Sequence, residues 1–319
     1  MPEVAGWSLA AAAAIWPPVE TCHPCVRPMA NGSRAVVIGM AVLLVVVIAA
    51  GSTQLPTLGA AGLLHPMRRR VSATAPSMCQ NTTFTGEGVH LEGWRCQATA
   101  SRRGTLVYLH GIADNRASGA GVVGRFANRG FDVLAYDSRA HGESTGEACT
   151  YGFFEKQDLG RVIDTVERGP VILLGTSLGA AVALQHAALD TRVTAVIAAE
   201  TFSDLRTVAT QRAPFFFTPS IIDRTFALAE QQGHFAVDAV SPVRAAAGIT
   251  APVLLIHGAA DVETPPEHSQ RVLSALNGSK RLILVPGARH NEALRGEVWT
   301  EIERWLESVL RTPRPELPS

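Results

Sequence analysis

The chain has 319 residues, equal numbers of acidic and basic side chains, and a charged fraction of 18%. That balance excludes the strongly basic surface of a nucleic-acid binder, and an aromatic share of 6% leaves no evident platform for stacking bases. The length accommodates an N-terminal region followed by one α/β domain of roughly 200–250 residues.

Residues 1–34 are mixed, rich in Ala and Pro, and are expected as a loose tail. Cys22 and Cys25 form Cys-x-x-Cys, but no second pair completes a zinc cluster and no βαβ pattern surrounds them, so they read as ordinary tail cysteines. Residues 35–51, AVVIGMAVLLVVVIAAG, carry no charge. As a helix they reach the short end of the roughly 17–25 residues that cross a bilayer. They are expected as a retained single-pass anchor. A cleaved signal segment, leaving a secreted protein, is the alternative, and a buried helix or strand is the third reading. Arg27 and Arg34 before the run and Arg68, Arg69 and Arg70 after it do not settle its orientation. An N-in anchor places the large domain outside the cytoplasm, where Cys79 and Cys96 can pair and Asn81-Thr82-Thr83 is a glycosylation sequon.

Residues 52–85, with scattered Pro, Gly, Ser and Thr, are expected as a connector in which 63–66 packs on the domain or lies near the bilayer. A regular pattern begins near residue 86 and continues to 312, leaving 313–319 as a tail. GVHLEGWRCQA suggests a first strand by its alternation. The runs GTLVYL, FDVLAY, PVILLG, VTAVIAAE, APVLLIHG and RLILV follow as short apolar strands, with helix-length segments between several of them. Near-continuous apolar strands alternating with helices imply a mainly parallel sheet covered on both faces, an α/β fold. Its sites lie beyond the C-terminal ends of the strands. Trp299, Ile302, Trp305 and Leu306 give the last helix an apolar packing face.

The candidate chemistry falls at those strand ends. Gly175, Ser177 and Gly179 form G-x-S-x-G between a strand and a helix, a nucleophile-elbow pattern. The glycines let the turn run close to its neighbours, and the helix N-terminus directs partial positive charge at an anion beside Ser177. Asp261 ends VLLIHGAAD and His290 ends LILVPGARH. A neutral His290 can accept the Ser177 proton while Asp261 orients its ring. Glu200, Glu263 and Asp137 compete with Asp261 for the orienting role.

The motif and the order Ser177, Asp261, His290 resemble the α/β-hydrolase superfamily over roughly residues 86–310. His110-Gly111 after LVYL resembles its oxyanion loop. The resemblance implies an oxyanion hole built from the backbone N–H groups of Ile112 and Leu178, with His110 shaping the loop. It also implies that Asp137, Arg139 and His141 belong to a supporting loop. Asp114 follows the oxyanion loop and is expected as a turn residue, with a functional role as the alternative. Residues 203–250 would form a small cap. Pro214 and Pro219 argue against one long helix there, and most of Phe215, Phe216, Phe217 and Phe226 are expected to seal the cap to the core.

The expected activity is a serine hydrolase cleaving a carboxylic ester or thioester, lipid-like in its acyl part, through an acyl-enzyme and without metal or organic cofactor. A serine peptidase or amidase, an acyltransferase, and a non-catalytic membrane-tethered binding domain are the alternatives.

Overall fold

A computed structural model of the chain describes residues 31–311, with the side chains of 31–35 and 43–52 outside the description. Cys22 and Cys25 and the tail 313–319 lie outside the described residues. The chain divides into two compact units, Met1–Ser52 and Thr53–Ser319. In the first, the description is of helix only, the opening part of α1 (Asn31–Leu64). Among the described residues no helix is long and apolar enough to cross a membrane; the side chains of 43–51, in the expected anchor, lie outside that description.

The second unit is built on an eight-stranded sheet. Its strands are β1 (Cys79–Thr85), β2 (His90–Cys96), β3 (Gly104–Leu109), β4 (Phe131–Tyr136), β5 (Val171–Thr176), β6 (Val193–Ala199), β7 (Val253–Gly258) and β8 (Lys280–Val285). They lie in the order β1-β2-β4-β3-β5-β6-β7-β8. The β1–β2 and β2–β4 pairs are antiparallel and the other pairs are parallel. The apolar runs are continuous because both faces are covered. Along β5, Leu173 packs on one side while Ile172 and Leu174 pack on the other. The first side carries α3 (Glu155–Ile163), α4 (Leu178–Ala187), α7 (Pro242–Ala246) and α8 (Glu267–Ala275). The opposite side carries α2 (Ala120–Ala127) and α9 (Val298–Arg311). Ile302, Trp305 and Leu306 are the buried residues of α9, as its apolar face requires. The expected mainly parallel sheet with helices on both faces is the architecture found.

The cap lies between β6 and β7. Its main helices are α5 (Leu205–Arg212) and α6 (Pro219–Gly233), separated at the two prolines. Pro219 opens α6, where a missing N–H costs nothing, and the Thr218 side chain caps it by accepting from the Ile221 N–H.

Residues 52–85 depart from the expected connector. Helix α1 runs on to Leu64, with Ala60 and Leu64 buried. The Leu64 carbonyl accepts from the Cys149 N–H at 2.8 Å, and the Leu63 carbonyl accepts from the Tyr151 hydroxyl at 3.0 Å. The same stretch contains β1 at the sheet edge. There Cys79 faces Cys96 in register, and the two are joined by a disulfide.

Candidate active site

Ser177 joins β5 to α4 with φ 50° and ψ −110°. A positive φ at a residue with a Cβ costs about 1–3 kcal/mol, so the surroundings must impose it. They do so from both sides. The Ser177 N–H donates to the Ala199 carbonyl of β6 at 2.8 Å, and the Ser177 carbonyl accepts from the Ala181 N–H at 3.1 Å. The flanking glycines allow the close approach. A Cβ on Gly175 would stand 2.3 Å from the Gly179 carbonyl, and one on Gly179 would stand 2.2 Å from the Leu109 oxygen of β3. Both obstacles are backbone atoms, so neither can swing aside.

The turns after β7 and β8 bring Asp261 and His290 to this serine. His290 Nε2 lies 3.0 Å from Ser177 Oγ, and His290 Nδ1 lies 2.6 Å from Asp261 Oδ2. All three side chains are buried or nearly so. A carboxylate only accepts, so Nδ1 carries the ring proton and Nε2 is left to accept from the hydroxyl. The Asp261 Oδ1 atom accepts the N–H groups of Glu263 and Thr264, each at 2.9 Å. Burial alone would raise the Asp261 carboxyl, but hydrogen bonds from His257, His290 and the Thr264 amide outweigh it and hold the group well below the usual carboxylate range.

The other acids take different places. Glu200 receives the Asn291 N–H at 2.7 Å and the Ala293 N–H at 3.0 Å, so it ties down the loop that carries His290. Burial pushes its carboxyl up, against the opposing pull of His290 and these two amides. Glu263 contributes its backbone to Asp261, while its carboxylate stands 3.8 Å from Arg212. Asp137 is fully buried and receives the amides of Arg116 and Glu143 at 2.7 and 2.9 Å. Arg139 grips Asp158 through two nitrogens at 2.7 and 2.8 Å.

His110 accepts the Ser138 N–H at Nε2, 2.9 Å away, and its Nδ1 meets the Gly111 carbonyl at 2.6 Å. Burial lowers its pKa, so the ring is neutral and braces the loop that leads to Ile112. His141 stacks edge-on against it, with centroids 5.1 Å apart. Burial, followed by the proximity of His110, lowers His141 to about 4.

Sequence reasoning missed His257 in β7. Its Nε2–H donates to the Thr264 carbonyl at 2.7 Å and lies 3.3 Å from Asp261 Oδ2, while Nδ1 accepts from the Ser269 hydroxyl at 2.6 Å. The ring is fully buried and braces the acid turn from behind. Its one signal in the sequence is a polar residue inside an otherwise apolar strand, four positions before Asp261.

Above Ser177 lies a cavity of about 540 Å³. Ile112 and Leu178 line it beside the serine, and Leu178 is the first residue of α4, where amides have no intrahelical acceptor. The rest of the wall is mostly apolar. Phe202, Leu205, Val208, Phe216, Phe217, Ile222 and Phe226 come from the cap side, and Leu55, Leu58 and Leu63 come from α1. The stretch expected as a connector therefore supplies one wall. The phenylalanines also depart from expectation. Phe226 is buried, but Phe215 is 100% exposed and Phe216 is 50% exposed. They follow Pro214 in the turn before α6, where their side chains are not held against the core.

A family model described as the alpha/beta hydrolase fold matches residues 104–231, a span that contains Ser177 and stops short of Asp261 and His290. The chain is similar to the uncharacterized protein YfhR of Escherichia coli K12, with 28% identity over 257 residues, covering 76% of this chain and 84% of that protein. It is also similar to the uncharacterized protein YqkD of Bacillus subtilis, with 31% identity over 199 residues, covering 58% of this chain and 64% of YqkD. Among solved structures, the Pyrococcus furiosus esterase Pf2001 superposes with a TM-score of 0.59 at 23% identity, covering 77% of this chain and 96% of the esterase. At that identity the superposition speaks for the fold.

Proposed function

We propose that this chain is a serine hydrolase of the α/β-hydrolase superfamily that cleaves carboxylic esters or thioesters with an apolar acyl group. One observation carries the reading: the Ser177–His290–Asp261 series, with spacings of 3.0 and 2.6 Å, whose Ser177 lines a mostly apolar cavity. Ser177 Oγ attacks the acyl carbonyl as its proton passes to His290 Nε2. The imidazolium keeps its Nδ1–H on ionised Asp261. The oxygen that gains charge is received by the amides of Ile112 and Leu178, at about 3 kcal/mol for one such donor. Collapse of the intermediate breaks the bond to the leaving alcohol or thiol, which takes the proton from His290. The acyl group is then bonded to Ser177. Water gives a proton to His290 and attacks this ester, and the acid leaves as Ser177 recovers its proton.

The likeness to an esterase structure agrees with this reading, and so does the cavity wall, which suits an acyl chain better than a polar peptide. We place the enzyme at a membrane, with 35–51 as a single-pass anchor and the large unit outside the cytoplasm. The absence of charge in that run and the Cys79–Cys96 disulfide, a bond that persists in oxidising compartments, support this placement. A fluorophosphonate probe tests the chemistry: it should label the protein at Ser177, and Ser177→Ala should abolish labelling. Protease protection in intact membranes tests the topology.

A further inference from the structure

Single exposed apolar side chains are ordinary on a protein surface, but a contiguous group at the mouth of a cavity marks an interaction site. Leu58 is 65% exposed, Phe216 50% and Phe215 100%. They form one group. The Phe215 and Phe216 rings have centroids 5.4 Å apart, and Phe216 and Phe217 are separated by 5.5 Å. The Phe217 ring would lie 3.0 Å from a Cβ on Gly59, the neighbour of Leu58 in α1. Leu58, Phe216 and Phe217 also line the cavity above Ser177, whereas Phe215 stands outside it.

The elements under this rim are fastened to the body of the domain. Leu64 at the end of α1 is bonded to Cys149, and Arg212 at the end of α5 donates to the Glu263 carbonyl at 2.8 Å and the Thr264 hydroxyl at 2.7 Å.

We infer that the rim formed by Leu58, Phe215 and Phe216 docks on a lipid bilayer, so that acyl chains pass from the membrane into the cavity without crossing water. Two observations select a lipid surface as the occupant. The cavity that opens between these side chains is itself mostly apolar, so the rim and the wall behind it form one continuous apolar path. In the sequence, the charge-free run 35–51 ends four positions before Leu55, which lines the same cavity. The identity of what enters the cavity rests on the hydrolase reading, whereas docking does not.

The test uses the full chain reconstituted in phosphatidylcholine bilayers. Phe215→Trp places a fluorophore at the rim, and lipids brominated in their acyl chains quench indole emission on contact. The expected result is quenching of Phe215→Trp beyond that of the wild type in the same bilayers. Equal quenching in the two proteins overturns the inference. Phe215→Ser supplies a second arm. Hydrolysis of a long-chain ester dissolved in the vesicles should fall roughly tenfold or more, the scale of one phenylalanine losing an apolar contact, while a water-soluble short-chain ester is turned over as before. A loss shared by both esters, or by neither, contradicts docking. If Phe215→Ser instead lowers the sedimenting mass and quenching is absent, the face belongs to a second copy of the chain and the inference is wrong. A wild type inert toward both esters would sink the hydrolase reading alone, because the quenching at position 215 still reports docking.

Discussion

Asp261→Asn is expected to leave the fold standing and remove most of the catalysis. In the wild type, Oδ1 accepts the Glu263 and Thr264 amides at 2.9 Å each, so the asparagine carbonyl oxygen is held at that position. The amide nitrogen must then replace Oδ2, 2.6 Å from His290 Nδ1 and 3.3 Å from His257 Nε2. Two donors cannot face each other at 2.6 Å, so His290 shifts its proton to Nε2. That nitrogen then presents a hydrogen to Ser177 across 3.0 Å instead of a lone pair, and the base is lost. The equivalent tautomer error in a serine protease costs ~10,000-fold in kcat, about 5 kcal/mol of transition-state stabilisation. The assay is kcat on a soluble short-chain ester, with far-UV circular dichroism and urea unfolding to confirm the fold. Glu200→Gln is the comparison. It turns one amide donor toward the Asn291 or Ala293 N–H, so it should loosen the His290 loop at about 1–3 kcal/mol in stability and roughly tenfold in rate. If Asp261→Asn stays within tenfold of wild type while Glu200→Gln loses four orders of magnitude, the acid has been assigned to the wrong residue.

Three other outcomes follow from the geometry. Across a series of ester chain lengths, kcat/KM should rise roughly fourfold per methylene until the cavity is filled, from about 0.8 kcal/mol per buried methylene; a flat profile would contradict the apolar wall. Gly179→Ala drives a Cβ to 2.2 Å from the Leu109 oxygen, and urea denaturation should show a loss of about 3 kcal/mol or more, where a loss under 1 kcal/mol would mean the elbow can relax. His141 has a folded pKa of about 4 against an ordinary 6.5, so the unfolded chain binds its proton first as pH falls. Unfolding free energy should therefore drop between pH 7 and pH 5, by about 2 kcal/mol from this residue, and His141→Gln should flatten the slope.

The strands and the nucleophile turn were legible because their signals are local. Runs such as VILLGT must be apolar on both sides when helices cover both faces, and Gly175 is required by contacts within a few residues of Ser177, although Gly179 answers to the Leu109 oxygen of the neighbouring strand. The placement of Asp261 and His290 beside Ser177 was legible by position, since each follows an apolar strand. The cavity wall was not. Residues 53–64 contain Pro56 and four glycines or threonines that argue for a loose link, and their helix is secured by contacts to Cys149 and Tyr151 almost 90 positions away. His257 was hidden for a similar reason: its partners Ser269 and Thr264 come from the turn and helix after β7, and nothing local marks the ring as a brace. The expectation that most of Phe215, Phe216, Phe217 and Phe226 seal the cap fails at Phe215 and Phe216, because hydrophobicity alone does not tell a sealed cap from an open rim.

The Ser177 oxygen is expected to become covalently acylated during turnover. Mixing the protein with a long-chain ester, quenching in acid within the first turnover and weighing the peptide that contains Ser177 tests it directly. The expected result is a mass increase equal to the acyl group on that peptide, absent from Ser177→Ala and strongly reduced in His290→Ala. Steady turnover of the ester with that peptide unmodified, or equal turnover by Ser177→Ala, would contradict it.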